Sequence, residues 1–582
     1  MRVTPKAVPL LAFVCVGAAL LTSAAGCGKK SPRGELAGQK SGLALPELPE
    51  PEGVLAEVRV SHPDATYRAT RQLGRLGALL PAGFPMLSAS LLGLPPLSAD
   101  SFDAELPVVG LLVQGPNGEP GWVLALHVVS GPELVAKLCA GDRAPFQAAS
   151  AGVTGLQTIE PNPKPRAAAF SLGVFDEYLL VASSPEVLVQ AGPYAARTLP
   201  RSPALPSPVT VRFSQSALEG KIVPALRGLW AGYRTRLARL DQSERSAHGG
   251  RAPDFADPAQ VILGADAAVE AALALIDSSA MLELDVEPSP ERLDVTVQLE
   301  PEAGSEVQAK VSSLVAGNAR GLLSLPGETS FAFGLPRTSE EREAAGKAAG
   351  DDWVRLLGTR LTPHEADQLR SVLSDWELGR GAETRYGFWG GSEPSAFLVT
   401  EVADAVRLKR ASTGLFGLLS VPGLRAPLSE FLGSPRLESV ATPAPSALPG
   451  ASHRRIGFSP VGGRPARVPP LEFAWRVDES LAFAAAGRDA DAGLVAVVDS
   501  AAGHHPTLSA TAGVSDAVQR IGEQAALYAY LDARVLSGAT GPAQPTPAPV
   551  LLALGKRGTS AWVRLEIAKP AVDLLSTSLL GR

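Results

Sequence analysis

The sequence predicts an α+β protein of two tandem duplicated domains, each an antiparallel sheet of hairpins backed by helices; a β-rich sandwich is the alternative. Three observations carry this. Strand-length segments alternate apolar and polar residues, the period of a half-buried strand. Four such segments recur in the same order in both halves of the chain. The 582 residues exceed what a single core accommodates. The domains read as 54–320 and 321–582, preceded by segments of different character at 1–26 and 27–53.

The recurrences fall in chain order. NGEPGWVLALHVVSGPEL (117–134) matches GSEPSAFLVTEVADAVRL (391–408), aligning Glu119-Pro120 with Glu393-Pro394, Leu124 with Leu398, and Ser130 with Asp404. Ser and Asp are both good helix N-caps, so each copy reads as strand, turn, strand, cap and helix. VFDEYLLVA (174–182) matches RVDESLAFA (476–484), with Asp-Glu as the turn of a hairpin. VTVRFSQSALEG (209–220) matches LYAYLDARVLSG (527–538). LELDVEPSPERLDVTVQLE (282–300) matches VLLALGKRGTSAWVRLEIA (550–568) with equal turn length, which preserves register. In its first copy Leu282, Leu284, Val286, Leu293, Val295, Val297 and Leu299 share one face, and Glu283, Asp285, Asp294, Thr296 and Gln298 are expected to face water. Extra stretches near 232–258 and 438–470 account for the drifting offset.

The N-terminus is an address. Arg2 and Lys6 precede an apolar run at 7–21, then the small residues of 22–26. This is the order of a secretory signal, and the run of roughly 15 residues is shorter than the ~20 that span a bilayer. Ala24-Ala25-Gly26-Cys27 resembles the lipobox of bacterial lipoproteins. The resemblance implies that 1–26 is removed, that Cys27 is acylated, and that its acyl chains are the membrane contact; several chains at about 0.8 kcal/mol per methylene suffice for stable anchoring. Gly28, being other than Asp, implies by the same resemblance the outer membrane, facing periplasm or cell surface. Residues 27–53, rich in Gly, Pro, Lys and Ser, read as a flexible tether. In its Ala, Arg, Gly and Pro usage the remainder resembles exported proteins of GC-rich bacteria.

Composition excludes several classes. A net charge of −6 with no dense Lys/Arg block argues against nucleic acid as a partner. With lipid on Cys27, Cys139 has no intramolecular partner, and its place in ELVAKLCA makes it a buried packing residue. His364-Glu365 begins like a zinc-protease HExxH, but Gln368 stands at the second ligand position; Thr362, Pro363 and Glu365 read instead as a capping box. His504-His505 reads as a surface loop, and His127 as a structural residue pointing outward from its strand or to a polar edge. GFSPVG (457–462) lacks the second Gly of a nucleophile elbow, Ser183-Ser184 reads as a helix cap, and no Gly-Lys stretch completes a phosphate loop. Asp176-Glu177 and Asp478-Glu479 recur, as polar residues do in hairpin turns. The greasy stretch 63–97, with Leu73, Leu76, Leu79 and Leu80 at helical spacing, reads as core or as a groove for an acyl chain or a partner helix.

No catalytic residue, cofactor or metal ligand is expected; Cys27 is the one assigned site. The function expected is that of a lipid-anchored envelope protein acting as a non-enzymatic binding or scaffold protein, with a partner protein or an apolar ligand. The alternatives are a carrier of an apolar ligand and a hydrolase with scattered catalytic residues. A pocket with convergent carboxylates or His marks the hydrolase, and a dry apolar cleft marks binding.

Overall fold

The computed structural model describes residues 46–580, except 74–79, 116–117, 142–143, 163–169, 204–206, 248–257, 390–394, 426–433, 439–447, 460–468, 523 and 536–545. The segment read as a signal, and Cys27, lie outside the described residues. The chain forms two compact units, Met1–Ala309 and Lys310–Arg582.

Unit 1 runs β1 (Val54–Val60), α1 (Pro63–Leu73), α2 (Phe84–Leu91), β2 (Val108–Gln114), β3 (Pro120–His127), α3 (Gly131–Cys139), β4 (Phe146–Ser150), β5 (Leu156–Pro161), β6 (Ser171–Phe175), β7 (Tyr178–Ala182), α4 (Pro185–Arg197), β8 (Val209–Ser214), α5 (Val223–Ala247), α6 (Pro258–Asp277), β9 (Ser279–Pro288) and β10 (Arg292–Pro301). Its strands pair antiparallel in the order β10-β9-β8-β1-β2-β3-β7-β6-β5-β4. The helix α7 (Glu306–Ser313) carries the chain across the division.

Unit 2 runs β11 (Thr329–Pro336), α8 (Ser339–Leu357), α9 (Pro363–Gly379), β12 (Arg380–Trp389), β13 (Ser395–Val402), α10 (Ala405–Leu418), β14 (Ser434–Glu438), β15 (Ser452–Ser459), β16 (Leu471–Val477), β17 (Leu481–Gly487), α11 (Ala490–Ala501), α12 (Val514–Ile521), β18 (Ala525–Asp532), β19 (Pro549–Arg557), β20 (Ser560–Ala568) and α13 (Lys569–Leu580). Its strand order is β20-β19-β18-β11-β12-β13-β17-β16-β15-β14. This is the unit 1 order with every strand number raised by ten.

The architecture is α+β, and each sheet is layered with helices rather than with a second sheet, so the sandwich alternative is not realised. Helices cover both faces, where one covered face was expected. In unit 1, α4 packs Val187, Leu188, Ala191 and Ala195 on Val109, Leu111, Val123 and Leu180, while α1, α2 and α3 bury Tyr67, Leu87, Leu134 and Leu138 against Leu126, Leu179 and Val181. This explains why β2, VVGLLVQ, is apolar at successive positions and buried through its sixth residue. Each such fully buried Leu contributes roughly 1.5–3 kcal/mol. In unit 2, α11 and α12 supply Leu494, Val497, Val514 and Val518 to a core with Phe397, Phe483, Tyr528 and Tyr530.

The hairpin β9–β10 has the expected register, with Leu282 opposite Leu299, Leu284 opposite Val297 and Val286 opposite Val295. Its other face is not wholly in water. Glu283 and Asp294 are buried, Glu283 against the Arg212 guanidinium and Asp294 against Arg292, while Asp285 accepts a hydrogen bond from Thr210 at 2.7 Å. Ion pairing is what permits carboxylates there. The Asp-Glu turns also differ by one residue. Phe175 pairs with Tyr178 around Asp176-Glu177, whereas Asp478 is bonded to Leu481 around Glu479-Ser480. Asp176 has φ 53° and holds Arg197 bidentately at 2.9 and 3.1 Å.

The stretch 63–97 is interior to unit 1, where Tyr67, Leu73, Phe84, Leu87 and Leu94 are buried. Leu76 and Leu79 lie outside the described residues, and Leu80 packs on the same core. The end of the segment read as a tether is docked: the Leu48 N–H donates to Thr198 Oγ1 at 2.9 Å, and the Thr198 hydroxyl returns a bond to the Leu48 carbonyl at 3.1 Å. No helix among the described residues is long and apolar enough to cross a membrane.

Candidate functional site

The sheet of unit 2 presents a grid of side chains on the face toward α9 and α10. One ladder row runs Tyr386, Leu398, Ala484, Trp475, and the next Phe388, Ala396, Ala486, Phe473. The run LAFAAAG of β17 places small side chains at alternate positions of this face, directly between aromatic or branched neighbours. Above them α9 contributes Trp376, and α10 with the residue after it contributes Ser412, Leu415, Phe416 and Leu419. Methyl groups cannot reach the helices as larger side chains do, and a cavity of about 370 Å³ remains. Ligand pockets of roughly 300–1,000 Å³ hold small organic molecules.

Its walls are aromatic and rigid. Phe416 stacks on Trp475 with centroids 4.9 Å apart and planes at 15°, and meets Phe473 edge-on at 5.4 Å. Tyr386 is backed by Phe333, stacked at 5.0 Å and 19°. Among the described residues no charged side chain lines the cavity. The Ser412 hydroxyl donates to the Leu408 carbonyl of its own helix at 2.7 Å, so it is not a nucleophile poised on a base. Burial pushes the Tyr386 phenol above its ordinary pKa, against the opposing pull of Arg380; it stays protonated at neutral pH, with a hydroxyl able to donate a hydrogen bond. The surroundings suit a hydrocarbon body, with little to anchor a charge inside.

Beyond the cavity along the same face lies a polar cluster. Thr384 and Thr400 share a hydrogen bond of 2.8 Å, and Arg380 Nη1 donates to Thr384 Oγ1 at 2.8 Å. Arg380 also pairs with Glu377, the residue after Trp376, through Nε at 3.0 Å and through Nη2. On the opposite face of β12, Glu383 faces Arg385 at 3.7 Å, and burial raises its carboxyl above the ordinary range.

The residues singled out in the sequence are elsewhere. Thr362 and Glu365 form the reciprocal capping box at the start of α9, with Pro363 in the first turn. Ser184 caps α4 by accepting from Val187 N–H at 3.3 Å, and Ser183 accepts from Trp122 N–H at 3.0 Å. His505 bonds Glu328 at 3.0 Å on the surface. Of the two orientations expected for His127, the polar edge is the one found: its side chain is mostly enclosed, 3.7 Å from Asp103 and 3.6 Å from Glu177, with its ring edge-on to Tyr178. Cys139 ends α3, half-buried on the core, and burial raises its thiol pKa. Among the described residues no cluster of three or more His, Cys, Asp or Glu is placed to hold a metal. The cavity residues drew no attention in the sequence; the signal was the alternate alanines of 481–487 beside the aromatic LEFAWRV of 471–477.

Comparison with known proteins finds no match to this chain among family models, curated proteins or solved structures.

Proposed function

We propose that the chain is an exported, lipid-anchored envelope protein, acylated on Cys27, whose second unit binds a small apolar molecule. The observation that carries the binding reading is the cavity on the α9–α10 face: apolar walls, stacked aromatic rings and, among the described residues, no lining carboxylate or histidine. A hydrolase requires acid–base groups converging on its pocket, and among the described residues Tyr386 is the one titratable group that lines this cavity. Anchor and pocket together suit a protein that holds or carries an apolar ligand at an envelope membrane. The anchor and the outer-membrane address rest on the lipobox resemblance.

The two units are inferred to descend from one duplicated domain. The matching strand orders support this. So does the ladder row Leu124, Gly110, Val58, Val211, Leu284, Val297 of unit 1, whose counterpart is Leu398, Tyr386, Phe333, Ala529, Leu552, Leu565.

Mass spectrometry of organic extracts from the purified full chain tests the binding reading. One apolar species is expected from the wild type and not from an Ala484→Trp variant, whose indole occupies the floor. Identical extracts from both overturn it.

A further inference from the structure

Arg342 sits in the first turns of α8, buried at 7 % exposure. Its Nη1 donates to the Arg337 carbonyl at 3.3 Å, and its Nε is buried with no acceptor. Among the described residues it has no carboxylate in ion-pair contact. One turn later Gly346 lies against Glu377: a Cβ there would stand 3.2 Å from the Glu377 Cβ. Arg342 therefore projects toward the Glu377–Arg380 pair. Arg337 approaches Glu377 at 3.7 Å from the same side. Three guanidinium groups share this region with Glu377 and with Glu401, which accepts from the Glu383 N–H at 3.2 Å. One positive charge is left over. A buried, unpaired charge is costly, and buried charges are ordinarily paired.

Arg380 and Glu377, toward which Arg342 projects, lie beside the cavity. The Thr384–Thr400 row that Arg380 grips is one ladder row, about 7 Å, from the Tyr386–Leu398 row of the cavity floor. Trp376 lines the cavity, and the next residue is Glu377. Electrostatic coupling runs the same way: Arg342 is held below the ordinary arginine pKa by burial and then by Arg380, and Arg380, Glu377 and Arg337 all act on Tyr386.

We propose that the cavity takes the hydrocarbon chain of a single-chain carboxylate, an amphiphile of fatty-acid type, with its head group against Arg342 and Arg380. This rests on the binding reading above and adds the class of ligand. A carboxylate supplies one negative charge, which matches the one in excess, and accepts the two-pronged hydrogen bonding that guanidinium offers. Tyr386, between chain and head, donates to the same oxygen atoms.

Trp376 and Trp475 report binding by fluorescence quenching when decanoate or decanol is titrated into the full chain. Decanoate is expected to bind at least about tenfold more tightly than decanol, the contribution of a charge-assisted hydrogen bond. In Arg342→Met, which removes a buried unpaired charge and keeps an apolar side chain of similar length, that preference is expected to vanish. Equal affinity for acid and alcohol in the wild type, or a preference that survives Arg342→Met, overturns the head-group assignment and leaves the cavity reading standing. Tighter binding of decyl phosphate than of decanoate overturns the match to a single charge. Binding of neither chain overturns the cavity reading and this one with it.

Discussion

Ala396 occupies in unit 2 the ladder position that Trp122 occupies in unit 1. Ala396 pairs with Phe388 and Phe388 with Phe331; Trp122 pairs with Leu112 and Leu112 with Ala56. The same comparison sets Ala484 against Val181, each opposite the Leu of the neighbouring strand. Where unit 1 fills the space under its helices with an indole and a branched side chain, unit 2 leaves methyl groups and a cavity.

Ala396→Trp is therefore expected to give unit 2 the filled floor of unit 1. Forcing an indole into a packed core costs about 1–3 kcal/mol; into existing space it costs less, while ligand affinity falls at least about tenfold. Urea unfolding and tryptophan quenching measure the two effects on one preparation. A large loss of stability with binding retained contradicts the cavity's position.

Much of this frame was legible in the sequence and the cavity was not. Alternation gave the hairpins β9–β10 and β19–β20 with their register, because a slip of one residue turns every side chain over. The caps Ser130, Thr362 and Asp404 were legible because capping is local. The alignment of 174–182 with 476–484 was off by one: the ladder sets Val181 against Ala484, since the second turn tip is Glu479-Ser480. Covered second faces were hidden because burial of β2 depends on α4, far along the chain. The cavity depends on β13 pairing with β17, a contact 86 residues long between Leu398 and Ala484, which no local period reports.

Thr362→Ala tests the structural reading of the HExx-like stretch. The hydroxyl accepts from Glu365 N–H at 3.3 Å and the Glu365 carboxylate accepts from Thr362 N–H at 2.7 Å. Losing a Thr cap is expected to cost about 1 kcal/mol in urea unfolding, and chelators are expected to leave stability unchanged. Destabilisation by chelators in the wild type, absent from a His364→Ala variant, contradicts this reading.

Glu383 makes stability depend on pH. Burial raises its folded pKa above the 4.5 of a free glutamate, and Arg385 only partly opposes the shift. A raised acid contributes stability that is fully present below 4.5 and is lost as pH rises through the folded value. Glu383→Gln abolishes that loss. The variant is expected to be more stable than the wild type at pH 7, with the difference fading as pH falls below 4.5. Arg385 remains held by the Gly321 carbonyl at 3.0 Å and Ser324 Oγ at 3.1 Å. Lower stability of the variant at pH 7 would mean that the Arg385 attraction outweighs desolvation.

Cys27→Ser decides the address. Three cysteines are present, and Cys15 falls inside the apolar run that processing at the proposed lipobox would remove. Cys139 is half-buried with its thiol pKa raised, which disfavours the thiolate that acylation needs. Labelled palmitate incorporated by the wild type therefore reports on Cys27. In Cys27→Ser the label is expected to disappear and the protein to leave the membrane fraction, because one acyl chain gives only marginal binding and none gives less. Label persisting in Cys27→Ser and vanishing in Cys139→Ser would move the anchor to α3 of unit 1, where the thiol faces the core. The cavity of unit 2 is unaffected by either outcome, so binding of decanoate to Cys27→Ser at the wild-type affinity separates the ligand site from the anchor.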